Sequence, residues 1–144
     1  MSTRQIISAL LLISLCLTTA PARSEYLPSK VVYDVSTPDP EELNQLLDRA
    51  ALLQVMYDND PFEASIVLVV HEGAVPLFAR GEHDRLMQRT ASLTVAEIIE
   101  FRLCRASARM QGYDNSDFHE FVTVVPMADA EIVQLQREGY AYLR

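Results

Sequence analysis

Cysteine and glycine are both scarce in this 144-residue chain, at two and four residues, and bases are outnumbered, with 12 lysines and arginines against 20 acids. With so few glycines no GxGxxG or GxxxxGK phosphate loop occurs, and there is no GxSxG nucleophile elbow. The three histidines, His71, His83 and His119, have no HxxxH spacing and neither cysteine has a CxxC companion, so no zinc or other transition-metal site is expected. The net charge of −8 repels phosphate backbones and anionic lipid, which argues against nucleic-acid and membrane-surface partners. Beyond one N-terminal stretch, no apolar run approaches the roughly 18 residues a bilayer span needs.

The length and the 49% hydrophobic content suit one domain with a core of its own. Its first residues read as an export signal: Arg4 supplies the positive start, residues 6–17 form an apolar run, and Ala20-Pro21-Ala22 offers small residues for cleavage after Ala22. The expected domain is therefore 23–144, exported to the periplasm or beyond, with no membrane association once residues 1–22 are gone. Leu15 is too bulky for the position before a lipid-modified Cys16, so the lipoprotein reading is weak. If Cys16 leaves with the signal, Cys104 is alone and cannot form an intramolecular disulfide. A lone thiol has a bland reading, as a small buried hydrophobe, and a reactive one.

Periodicity predicts alternating strands and helices. β-branched and aromatic content marks a strand over 30–35. Asp39-Pro40 with Glu41 and Glu42 then starts a helix that carries Leu43, Leu46, Leu47, Ala50, Leu53 and Tyr57, interrupted by Gln54 and stopped at Asp58-Asn59-Asp60-Pro61. The continuous apolar run over 64–70 suits a strand buried on both faces. Residues 75–80 are ambiguous, and 82–91 has helical composition. A strand over 98–104, a helix over 105–111 ended by Gly112, a loop or short helical turn over 114–120, a strand over 121–125 and a helix over 128–138 follow, with Ile132, Val133 and Leu135 expected inward. Residues 140–143 are a candidate edge strand. This order implies an α/β three-layer sandwich with a mostly parallel sheet of about five strands.

In such sheets the functional edge lies where strands end and helices begin. Cys104 sits at that junction, where a helix N-terminus favours an anion, and Arg102 and Arg105 flank it, with Arg109 one turn further on. Cations near a thiol favour the nucleophilic thiolate. His71, ending another strand at the same edge, is a candidate base or hydrogen-bond partner, although a cap or loop role also fits it.

Several short pieces in order then point to a family. Ile99-Glu100-Phe101-Arg102-Leu103-Cys104, Gly112-Tyr113, Val124-Val125-Pro126, Ala130-Glu131-Ile132 and Gly139-Tyr140-Ala141-Tyr142, with Leu68-Val69-Val70-His71 upstream, resemble DsrE/DsrF-like proteins, in particular their exported single-domain branch. The resemblance covers about residues 30–144. It implies a compact α/β sandwich assembling as a homo-oligomer, a trimer or hexamer, and a sulfur-binding or sulfur-transfer role in which Cys104 carries a persulfide without metal or organic cofactor. Its implied partners are sulfur donor and acceptor proteins or small sulfur compounds. Two other readings remain beside it: a non-catalytic oligomeric binding or assembly module with a structural Cys104, and a thiol redox sensor.

Overall fold

The computed structural model describes residues 27–144; the signal-like segment, Arg4 and Cys16 lie outside the described residues. β1 (Ser29–Val35) leads into α1 (Pro40–Met56), then β2 (Ala64–Val70), a 3-10 helix (Glu72–Phe78) and α2 (Asp84–Leu93). β3 (Ile99–Cys104), α3 (Arg105–Met110), a 3-10 turn (Asn115–Asp117), β4 (Val122–Val125), α4 (Ala128–Arg137) and β5 (Ala141–Leu143) complete the order.

The local signals act as expected at most boundaries. The Asp39 carboxylate accepts from the Glu41 N–H at 2.8 Å and Pro40 opens α1, so two of the helix's unpaired N–H positions are dealt with. Asp58 and Asn59, both at φ 55°, turn the chain out of α1. The ambiguous stretch resolves into the 3-10 helix, which buries Ala74, Val75, Leu77 and Phe78 around Pro76.

All strand pairings are parallel, in the order β4-β3-β2-β1-β5. The chain lays β1 to β4 side by side in sequence, then crosses by α4 to the outer side of β1. Two cores result. Val31, Tyr33, Val35, Ile66, Leu68, Val70, Phe101 and Leu103 meet Leu43, Leu47 and Ala50 of α1, Met87 of α2 and Ala108 of α3. On the opposite face Val32, Val67, Val69 and Cys104 meet Ala128, Ile132 and Leu135 of α4. β2 lies between both cores, which is why its run is continuously apolar rather than alternating.

Two positions depart from the pattern read in the sequence. Gln54, expected to interrupt the α1 stripe, is itself buried. Val133, expected inward, is 46% exposed, because α4 buries the stripe Ala128-Ile132-Leu135 and the next residue is rotated about 100° away.

Candidate functional site

β3 and β4 are neighbours whose C-terminal connections leave to opposite faces: β3 runs into α3, which joins the larger core, and β4 into α4, which joins the smaller one. In open α/β sheets the strand ends at such a reversal are where ligands usually bind and reactions occur. Cys104, paired in register with Val125, is the last residue of β3 and sits at that reversal.

Cys104 is also the N-cap of α3, with extended backbone at φ −69°, ψ 111°. Its Sγ accepts from the Ser107 N–H at 3.4 Å, as a capping serine oxygen would, and from the Ala128 N–H of α4 at 3.3 Å. The sulfur thus lies between the first turns of two helices from opposite faces. The two connections are tied together, for the Ala106 N–H donates to the Pro126 carbonyl at 3.3 Å. A thiol is a weak acceptor and a thiolate a strong one, so converging N–H groups favour ionisation. Burial works the other way and would raise the thiol. The Ser107 side chain and the N–H groups of Ser107, Ala128 and Ala106 outweigh it and hold Cys104 below the ordinary thiol range. The sulfur is nonetheless buried, at 3% exposure for the residue, and it is the free cysteine among the described residues.

Arg102 shares the Cys104 face of the strand, as the two-residue spacing requires, but its charge is directed elsewhere. The guanidinium donates from Nε and Nη2 to both Glu100 oxygens, at 3.0 and 2.8 Å, and from Nη1 to Glu131 of α4. Two carboxylates therefore neutralise it. Arg105 opens α3 with its Nε buried and unpaired, while Arg109 is exposed in the last turn. Neither Arg102 nor Arg105 hydrogen-bonds the sulfur.

His71 follows the last residue of β2, one step beyond the Val70–Leu103 pair, just as Cys104 is one step beyond it on β3. No hydrogen bond joins the two side chains. His71 Nε2 instead meets Asp34 Oδ1 at 2.5 Å, and Tyr142 donates its hydroxyl proton to Asp34 Oδ2 at 2.5 Å. Burial would raise the Asp34 carboxyl, but the hydrogen bonds from Tyr142 and His71 win and hold it below the usual carboxylate range. The same bond to Asp34 raises Tyr142. His83 caps α2 without a side-chain bond, and His119 stacks on Phe121 with ring centroids 5.5 Å apart; both lie away from Cys104.

Asp34 and Tyr142 were not singled out in the sequence. The legible signal was an acid inside the apolar strand Val31-Val32-Tyr33-Asp34-Val35, which must find a partner if buried. The N–H groups of Ser107 and Ala128 carry no side-chain signature at all. Among the described residues no three His, Cys, Asp or Glu side chains gather as a metal site would need, and no helix is long and apolar enough to cross a membrane.

The DsrE/DsrF-like family profile matches residues 30–144, most of the chain. The chain belongs to the DsrE/DsrF-like family. Its fold agrees with that of MTH1491 from Methanobacterium thermoautotrophicum, a protein described as of unknown function: the TM-score is 0.71 and the identity 25%, over 81% of this chain and 98% of the other. Among curated proteins none matches. As a DsrE/DsrF-like protein the chain has the five-stranded α/β sheet expected of it, with all five strands parallel. Cys104 ends the central portion of that sheet.

Proposed function

We propose that this DsrE/DsrF-like protein is a sulfur-transfer protein in which Cys104 accepts sulfane sulfur as a persulfide. Family membership suggests a sulfur-relay role. The observation that carries the finer reading is the sulfur of Cys104 receiving N–H donors from the first turns of two helices where the connections of β3 and β4 diverge. In the first step the Cys104 thiolate attacks the outer sulfur of a donor persulfide, forming Sγ–S and breaking the donor's S–S bond, and the donor leaves as a thiolate. Attack by an acceptor thiolate on the outer sulfur reverses the roles and restores Cys104. The same N–H groups suit the persulfide, which keeps an acceptor sulfur at that place.

The proposed setting is the periplasm or the outside of the cell, on the strength of residues 1–22. The proposed partners are sulfur donor and acceptor proteins or small sulfur compounds, with the protein acting as a homo-oligomer. Intact mass after exposure to polysulfide tests the chemistry. A gain of about 32 Da, removed by reductant and missing in Cys104→Ser, is the expected result. No gain with polysulfide, thiosulfate or a small persulfide overturns it.

One observation favours a second reading. Cys104 is packed among Val67, Val69, Ala128 and Ile132, as a structural cysteine in a binding module would be. A thiol that resists a small alkylating agent in the folded protein, and reacts only once unfolded, would select that reading.

A further inference from the structure

A cavity of about 510 Å³ opens at the carboxyl end of β1, between the loop that leaves this strand and the first three turns of α1. That volume is within the range of small-molecule sites. Its loop wall is held in place. A Cβ at Gly73 would meet the Ser36 carbonyl oxygen at 2.9 Å and Pro38 at 3.1 Å, so the loop after β2 presses on residues 36–38, and the Asp39 cap fixes where α1 begins.

The acids and the bases on the cavity wall are in different states. Asp34 has both oxygens bonded, Oδ1 to His71 Nε2 and Oδ2 to the Tyr142 hydroxyl, each at 2.5 Å. Glu42 accepts from the Thr37 hydroxyl at 2.5 Å. Arg49 and Arg144, by contrast, make no ion pair or hydrogen bond through their guanidinium groups among the described residues. The Ser36 hydroxyl and the Gln45 amide, on the same wall, are equally uncommitted there. Arg49 is nonetheless placed, with its guanidinium carbon 5.4 Å from the centre of the Tyr33 ring. Arg144 is near enough to Asp34 and Tyr142 for its charge to act on both. The carboxylates are thus spent on partners within the protein, while two cations and two neutral groups able to donate remain. Pro38 and Leu46 add apolar surface to the same cavity.

A guanidinium bonds most strongly to an oxyanion, because both charges assist the hydrogen bonds and its planar fork matches two oxygens. A cationic ligand would meet two arginines and find both acids engaged. We propose that this cavity binds a small organic acid: its carboxylate or sulfonate head is held by Arg49 and Arg144 with Gln45 and Ser36 beside them, and its apolar body lies against Pro38 and Leu46. The site is separate from Cys104, which lies on β3 with β2 between, so it stands whether or not the thiol carries sulfur.

The test compares three probes that share one apolar body, butyrate, butanesulfonate and butylammonium, titrated into the full protein at constant ionic strength. Backbone amide signals of Ser36, Thr37 and Gln45 report the cavity by NMR. Saturable shifts of these signals with butyrate, butanesulfonate or both, and none with butylammonium, are the expected result, and the two anions tell which head group fits. Arg49→Gln, at an exposed helix position, weakens the anion about 10-fold, on the scale of a lost hydrogen bond to a charged group. Gln45→Glu keeps the side-chain shape, adds a negative charge and weakens it by at least as much. The site is overturned if neither anion gives saturable shifts, if butylammonium binds as well as the anions, or if both variants bind as the parent does. Those results would leave the two arginines as solvated surface charges.

Discussion

On the face covered by α1, α2 and α3, the inward residues of the three central strands are apolar: Val31, Tyr33 and Val35, then Ile66, Leu68 and Val70, then Ile99, Phe101 and Leu103. On the face covered by α4 alone, the same strands mix Val32, Val67 and Val69 with Lys30, Asp34, Ser65, Glu100, Arg102 and Cys104. Here the polar groups are individually matched. Lys30 reaches the Glu138 carbonyl at 3.4 Å, Ser65 meets the Tyr140 hydroxyl at 2.8 Å, and Arg102 joins Glu100 to Glu131. One helix cannot bury a five-stranded face, so its margins are polar and carry the thiol and the His71 cluster. The first face supplies stability through area removed from water; the second sets its side chains in specific polar pairs.

That division can be broken from either side. The largest effect on stability is expected at Phe101, fully buried between Phe78 and Phe121 with centroids 5.8 and 5.9 Å away. Phe101→Ala should cost about 3–5 kcal/mol in urea denaturation, while the alkylation rate of Cys104 in the protein that remains folded stays near the parental value. A parallel loss of thiol reactivity would mean the two faces are not separable.

A second experiment sharpens the electrostatic account of Cys104. Its folded value lies below the ordinary thiol value, so ionisation stabilises the fold: this contribution is fully present above the thiol's unfolded value and is lost as pH falls through the lower folded one. Alkylation of the native protein should therefore inflect at lower pH than alkylation of the urea-unfolded chain. Coincident inflections would remove the N–H groups as the cause.

The smallest effect is expected at Arg102. Because Glu100 and Glu131 already neutralise it, Arg102→Met should leave the pH profile of Cys104 alkylation within about 2-fold of the parent and cost about 1 kcal/mol or less, as partly exposed ion pairs do. A marked upward shift of the inflection would restore the arginine to the role that sequence proximity assigns it.

Much of the fold was legible because its signals are local. Ala64–Val70 reads as a doubly buried strand from seven residues alone, and Gly112 and Gly139, at φ 85° and 93°, sit just past α3 and α4 as their sequence positions suggested. Periodicity was weaker where the core accepts polar residues, at Gln54, or where a helix stripe is narrow, at Val133. The candidate site was legible at two residues. Cys104 stood out by its position at a strand end, and His71 by ending another strand, but the nearest cations in sequence are not what the sulfur bonds.

The sequence by itself determined the order of elements, the α/β class and the thiol of Cys104 at a strand-to-helix junction, because each follows from spacing within a few residues. Only the tertiary structure decided that Ala128, 24 residues away, donates to Cys104, that Arg102 belongs to Glu131, and that His71 is held by Asp34 and, through it, Tyr142. Those contacts depend on which strands are neighbours and on which face each helix lies. The crossing of α4 from β4 to the far side of β1 sets both, and no local pattern of residues records it.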